Sequence, residues 1–147
     1  MAEKVVYYPE FWGGKKLVYP NVPPESPKFS RSVVAGNLIF VSGCQGANDE
    51  TQRVETMVFE DQMVNAFNKV RRAMEDAGSS MNNLVKVTML LKNREDYPRM
   101  RRTEFEYYRK NAPMLVENPP ASTVMLVELG KPEYLIEIDV VGVLSRG

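Results

Sequence analysis

A carboxylate pair, Glu137 and Asp139, interrupts the apolar run Leu135–Leu144 near the end of the chain. Alternate residues of a strand share a face, so the two carboxylates project together. An unpaired carboxylate is costly to bury, so such a pair marks a partner, a solvated cleft or an exposed sheet face. Beside a cleft, burial raises a carboxyl pKa and suits it to general-base work. The only thiol is Cys44, and a thiolate nucleophile needs a cationic neighbour or a helix N-terminus to lower its pKa. The chain holds no histidine, which removes Ser-His-Asp catalysis, Cys-His catalysis and histidine zinc sites from within it. A four-cysteine zinc site fails on the single cysteine. Chemistry therefore falls to carboxylates, Arg, Lys, Tyr, Ser, that one thiol and backbone groups.

The whole chain, 147 residues, is one domain's length. Lys plus Arg and Asp plus Glu are both 19, so there is no general electrostatic pull toward nucleic acid or an anionic membrane. No apolar run is long enough to span a bilayer. The start, Met1-Ala2-Glu3-Lys4, lacks the apolar core of a signal peptide, and one cysteine suits a reducing compartment, so the expected location is the cytoplasm.

The elements that must position these groups are legible in part. Residues 1–29 hold five of the ten prolines and Trp12-Gly13-Gly14, and read as an arm on a core of residues 30–147. Within the arm, Val5–Tyr8 and Lys16–Tyr19 are expected to pair. Gly36-Asn37 between two apolar runs predicts a two-residue hairpin turn over Ser32–Gly43. Residues 44–56 read as a loop. Met63, Ala66, Phe67, Val70, Met74 and Ala77 define one face of a helix over 59–77, stopped by Gly78. Lys69, Arg71 and Arg72 then fall on its solvated side. Leu84–Leu91 reads as a strand. A second helix, capped by Asp96 with Pro98 in its first turn, runs to about Lys110 and carries Met100, Phe105, Tyr107 and Tyr108. Strands over Ser122–Leu129 and Leu135–Leu144 close the chain. The order β-β-α-β-α-β-β predicts an α+β fold: one mixed sheet with two helices on one face. Strands this apolar on both sides leave a patch that predicts a homo-oligomer.

The segment Phe29-Ser30-Arg31-Ser32 through Val41-Ser42-Gly43 resembles the opening of the Rid family, also called YjgF or reactive-intermediate deaminase. Ala77-Gly78-Ser79-Ser80-Met81 leading into Val85-Lys86-Val87-Thr88 is similar to a second family block. Pro120-Ala121-Ser122-Thr123-Val124, continuing to Ile136-Glu137-Ile138-Asp139, is similar to a third. The resemblance implies a chorismate-mutase-like α+β domain assembled as a homotrimer, with small-molecule clefts between subunits. It implies hydrolysis of enamines or imines to keto acids and ammonia, with no metal or organic cofactor.

By motif position the resemblance makes Phe29, Ser42, Gly43 and Cys44 cleft residues and Glu137 the carboxylate that positions water. Ser122 stands where the family places the Arg that holds the substrate carboxylate. A serine hydroxyl offers one neutral hydrogen bond where an Arg offers two charge-assisted ones, so altered substrate choice is expected. Arg31, two residues from Phe29, is either a relocated carboxylate clamp or an ion-pair partner. Arg101 and Arg102 stand between the same alternatives. Two functions follow: a hydrolase of enamines or imines, and a non-catalytic small-molecule binder on the same trimeric scaffold. An RNA-directed role is the third reading, and the neutral charge speaks against it.

Overall fold

The computed structural model describes residues 3–145. Met1 and Ala2, on which the reading of the chain's start partly rests, lie outside the described residues. The strands are β1 (Lys4–Tyr7), β2 (Phe11–Trp12), β3 (Lys15–Lys16), β4 (Ser32–Ala35), β5 (Leu38–Gln45), β6 (Leu84–Leu91), β7 (Ala121–Leu126) and β8 (Ile136–Val143). The helices are α1 (Phe59–Asp76), α2 (Tyr97–Asn111) and α3 (Met114–Glu117).

Six strands form one sheet in the order β1-β4-β5-β8-β6-β7. Only β6 and β7 run parallel; the other pairs are antiparallel, so the sheet is mixed as expected. The hairpin turn forms because Gly36 takes a φ of 63°, a left-handed value open to glycine at no steric cost. In α1, Met63, Ala66, Phe67, Val70, Ala73 and Met74 are fully buried against β5 and β8. Gly78, at φ 85°, ends the helix and lets the Ser79 amide donate to the Met74 carbonyl at 2.9 Å. The second helix packs on the first, with the Phe67 and Tyr107 rings stacked at 4.8 Å.

Several expectations need correction. The arm strands do not pair with each other. β1 instead pairs with β4, Val5 opposite Val34, while Gly13-Gly14 joins only the short β2 and β3. Tyr7 packs against the core and holds that added edge in place. Asp96 makes no capping bond and receives Arg99 Nη1 at 2.9 Å instead. Of the four large residues the second helix carries, where the sequence drew no distinction, Met100, Tyr107 and Tyr108 are buried and Phe105 is half exposed. A register shift between Leu84 and Lys86 turns Val85 outward. The strand predicted to Leu129 ends at Leu126, and α3 occupies part of the predicted loop.

The helices cover one sheet face. The other carries Leu38 and Phe40 on β5, Glu137, Asp139, Val141 and Val143 on β8, and Thr123 and Met125 on β7. Phe40 is 44% and Met125 46% exposed, so this face is open in the single chain. No helix among the described residues is long and apolar enough to cross a membrane.

Candidate functional site

The end of β5 departs from a regular ladder where the predicted residues lie. Val41 faces Val140 and Cys44 faces Ile138, so three steps on β5 match two on β8. The extra residue is a β-bulge at Ser42-Gly43, a device common beside functional sites because it re-aims side chains. It turns Cys44 into the core with Val41 and leaves Gly43 exposed. Gln45 then stands opposite Glu137.

Glu137 is held from β5. Gln45 Nε2 donates to Glu137 Oε1, and the other carboxylate oxygen lies over Gly43. A Cβ at residue 43 would sit 2.7 Å from Glu137 Cδ and 2.8 Å from Oε2. Glycine is therefore required by the carboxylate's position, not by a left-handed turn. A second close approach fixes the chain beyond the site: a Cβ on Gly46 would meet Gln62 Cα at 2.6 Å. Gln62 is itself fully buried and satisfied. It donates to the carbonyls of Thr56 and Glu133 and accepts from the Leu135 amide at 2.9 Å, so α1 grips both flanks of β5 and β8.

In front of the bulge lies a recess of about 130 Å³. Phe29, Arg31, Ser42, Gly43 and Cys44 all line it, so five of the predicted residues converge. Pro9, Glu10 and Phe11 of the arm form the opposite wall, and Lys69 and Arg72 of α1 contribute to it. Ser42 ties the recess to the segment before β4, with Oγ donating to the Ser30 carbonyl at 2.6 Å. The Ser42 amide donates to the Arg31 carbonyl at 3.0 Å, so it is not free for a ligand.

Arg31 is engaged in ion pairs: Nη2 with Asp76 Oδ2 at 2.5 Å and Nη1 with Glu10 Oε1 at 3.2 Å. Arg72 is exposed as expected, whereas Lys69 is largely covered, and both are engaged in ion pairs. Lys69 Nζ pairs with Asp49 Oδ1 at 3.1 Å, and Arg72 Nη2 with Glu10 Oε1 at 3.3 Å. Their helical spacing placed them on the polar side of α1, but that side faces the arm. The Cys44 thiol is pushed up to about 12, chiefly by burial, which keeps it protonated at neutral pH. Its Sγ donates to the Ser42 carbonyl at 3.3 Å. It lines the recess as a thiol, not as a nucleophile.

Ser122 lies elsewhere. It is on β7 at the far edge of the sheet, opposite Val87 and on the helix side. Glu137 is on the open face. Neither Ser122 nor Glu137 lines the recess in one chain. Beside Ser122 is Arg101, whose Nη1 reaches Ser122 Oγ at 3.4 Å and Glu104 Oε1 at 3.0 Å. Burial raises the Glu104 carboxyl pKa, and Arg101 opposes that rise. Arg102 is exposed beside it. Asp139 stands opposite Thr88 on one side and the Ser42-Gly43 bulge on the other, on the same open face as Glu137, and does not line the recess. Among the described residues no group of three or more acidic or cysteine side chains gathers as a metal site would require.

Sequence reasoning missed Gln45, Lys69, Arg72, Glu10 and Asp49. Gln45 had a usable signal, since a bulge at a Ser-Gly pair shifts the alternation by one and brings residue 45 onto the Glu137 face. The charged residues had none, because their meeting depends on how the arm and the loop after β5 lie on α1.

Comparison with known proteins places the chain in a family. A 2-iminobutanoate/2-iminopropanoate deaminase of Dermatophagoides farinae is 29% identical over 126 residues, covering 86% of this chain and 93% of its own. A RutC family protein of Pyrococcus horikoshii is 27% identical over 128 residues, covering 86% and 96%. The crystal structure of a YjgF family member from Neisseria meningitidis superposes with a TM-score of 0.72 at 20% identity, covering 99% of this chain and 98% of that one. Yeast Mmf1 superposes at 0.70 with 20% identity, covering 84% and 92%. The family described as endoribonuclease L-PSP matches residues 21–144, and with that span the chain belongs to it, the family also known as Rid or YjgF.

Proposed function

We propose that this protein is a Rid-type hydrolase that converts small imines or enamines to a carbonyl compound and ammonia. The observation that carries this reading is the Glu137 carboxylate, fixed through Oε1 by Gln45 and left with Oε2 over Gly43. A water held by Oε2 would attack an iminium carbon brought over the bulge, with Gly43 and Gln45 joining that position to the recess. The water oxygen forms the new C–O bond while its proton passes to the carboxylate. Glu137 passes that proton to the nitrogen, then takes the proton of the new hydroxyl as the C=O double bond forms and the C–N bond breaks, and ammonia leaves and carries the proton away as ammonium. Phe29 supplies an apolar wall against which the substrate's carbon skeleton packs.

The reading extends to assembly. The open sheet face and the outer side of β7 carry apolar groups and unpaired backbone that a second copy would cover. A trimer would also bring the Ser122–Arg101 edge of one chain toward the recess of another. With a hydroxyl at residue 122, substrate choice differs from that of relatives with an Arg there. The same feature favours a second reading, a trimer that binds small molecules without turning them over. Ammonia release from 2-aminoacrylate generated in situ separates the two. Acceleration over the spontaneous rate, by a species of about 50 kDa built from 16.7 kDa chains, supports the hydrolase. Saturable binding of the keto-acid product with no acceleration supports the binder.

A further inference from the structure

A chain of alternating charges crosses the recess: Asp76, Arg31, Glu10, Arg72, Asp49 and Lys69, each paired with the next. Glu10 differs from the other acids of this chain. Asp76 belongs to α1 and Asp49 to the loop after β5, both part of the core fold. Glu10 belongs to the arm, at the base of the β2–β3 hairpin, where its carbonyl accepts from the Leu17 amide at 2.8 Å. One oxygen of its carboxylate accepts from Arg31 at 3.2 Å and from Arg72 at 3.3 Å. Its side chain is 45% exposed, and exposed pairs of this kind are worth little and are screened by salt. Arg31 Nε, beside it, is buried with no partner among the described residues.

Withdrawing Glu10 changes the balance. Arg31, Lys69 and Arg72 would then face only Asp49 and Asp76, an excess of one positive charge beside a recess of about 130 Å³. That volume suits a molecule of a few heavy atoms, and the charge selects a monoanion. The occupant already present shows the chemistry: a single carboxylate.

We propose that the position between Arg31 and Arg72 is a binding site for a small monocarboxylate, that Glu10 fills it as an internal stand-in, and that ligand binding displaces the arm. This rests on reading the recess as the binding cleft, and it assigns the ligand's carboxylate to residues other than Ser122. The arm carries its own reporter, since Trp12 is the only tryptophan and lies two residues from Glu10.

The test uses pyruvate as the probe, pyruvamide as its uncharged counterpart, and constant ionic strength. Trp12 emission is expected to shift saturably with pyruvate and not with pyruvamide. In Glu10→Gln, calorimetry is expected to show pyruvate binding roughly tenfold tighter, because a weak competing ion pair is gone. Trp12 emission in that variant should start near the ligand-saturated value. Arg72→Ala is expected to weaken binding by a similar factor. Equal responses to pyruvate and pyruvamide, or unchanged affinity in Glu10→Gln, would overturn the site. Tighter binding in Glu10→Gln by a protein that releases no ammonia upholds this site and sinks the hydrolase. Ammonia release with unchanged Glu10→Gln affinity does the reverse.

Discussion

Two regions of the sheet, the end of interior strand β5 and the edge strand β7, are built differently. At the end of β5, a bulge, a glycine under a carboxylate and a buried Gln62 fix the backbone around a recess, so that Glu137 has one place to be. At β7, Ala121, Ser122 and Thr123 lie exposed on a strand whose outer side has no neighbouring strand among the described residues, and Arg101 reaches Ser122 only at 3.4 Å. Preorganisation costs backbone freedom and close packing, and it is concentrated where a reacting group must not move. The contrast teaches that half of a site can be complete in one chain while the other half waits on an edge.

The most severe way to break the first region is Gly43→Ala. The new methyl would meet Glu137 Cδ at 2.7 Å, so the carboxylate must move. A displacement of that order is expected to lower turnover about 100-fold, while overpacking lowers stability by about 1–3 kcal/mol. Gly130→Ala is the control, because nothing lies within 4 Å of its added Cβ, and it should leave both unchanged. Steady-state kinetics and thermal melts of the two variants decide the matter.

The second region is sharpened by Ser122→Arg. If β7 of one copy completes the recess of another, a guanidinium there adds charge-assisted bonds of roughly 1.5–3 kcal/mol to a substrate carboxylate. KM for carboxylate-bearing imines is then expected to fall at least tenfold, with little change for imines lacking a carboxylate. Equal effects on both substrate classes would show that residue 122 does not meet the ligand.

The smallest effect belongs to Cys44. Burial holds its thiol near 12 against an ordinary value of 9.0. Native protein at neutral pH is therefore expected to alkylate with iodoacetamide about 1000-fold more slowly than unfolded chain, as the thiolate fraction dictates. Because the folded pKa is raised, the folded state holds the proton that the unfolded state releases. Its stabilising contribution is whole below pH 9 and is lost as pH rises toward 12. Cys44→Ser should flatten that alkaline loss and leave turnover nearly unchanged.

Much of this layout is legible in the residues alone. Gly36-Asn37 marks the hairpin, the apolar spacing from Met63 to Met74 marks α1, and Leu84–Leu91 is a strand over its whole predicted length. These signals are local. What escaped is set by distant contacts. β1 pairs with β4 across the proline-rich arm, not with its sequence neighbour, because Tyr7 gains a core to pack against. Val85 turns outward because of a register shift that its alternating pattern does not reveal. For the site, Phe29, Arg31, Ser42, Gly43 and Cys44 line one recess, and Glu137 stands on the neighbouring strand outside that lining. The ion pairs around Arg31 needed the arm's position, and the isolation of Ser122 needed the sheet order.

The most direct test of the central claim compares wild type with Glu137→Gln in ammonia release from 2-aminoacrylate, with oligomer mass measured on both. The amide keeps the shape and a contact to Gln45 but cannot take a proton. Wild type is expected to exceed the spontaneous rate, and the variant to lose about 100-fold or more of the enzymatic rate at unchanged mass. A variant as fast as wild type would remove Glu137 from the chemistry and with it the assignment of the recess as the reacting site.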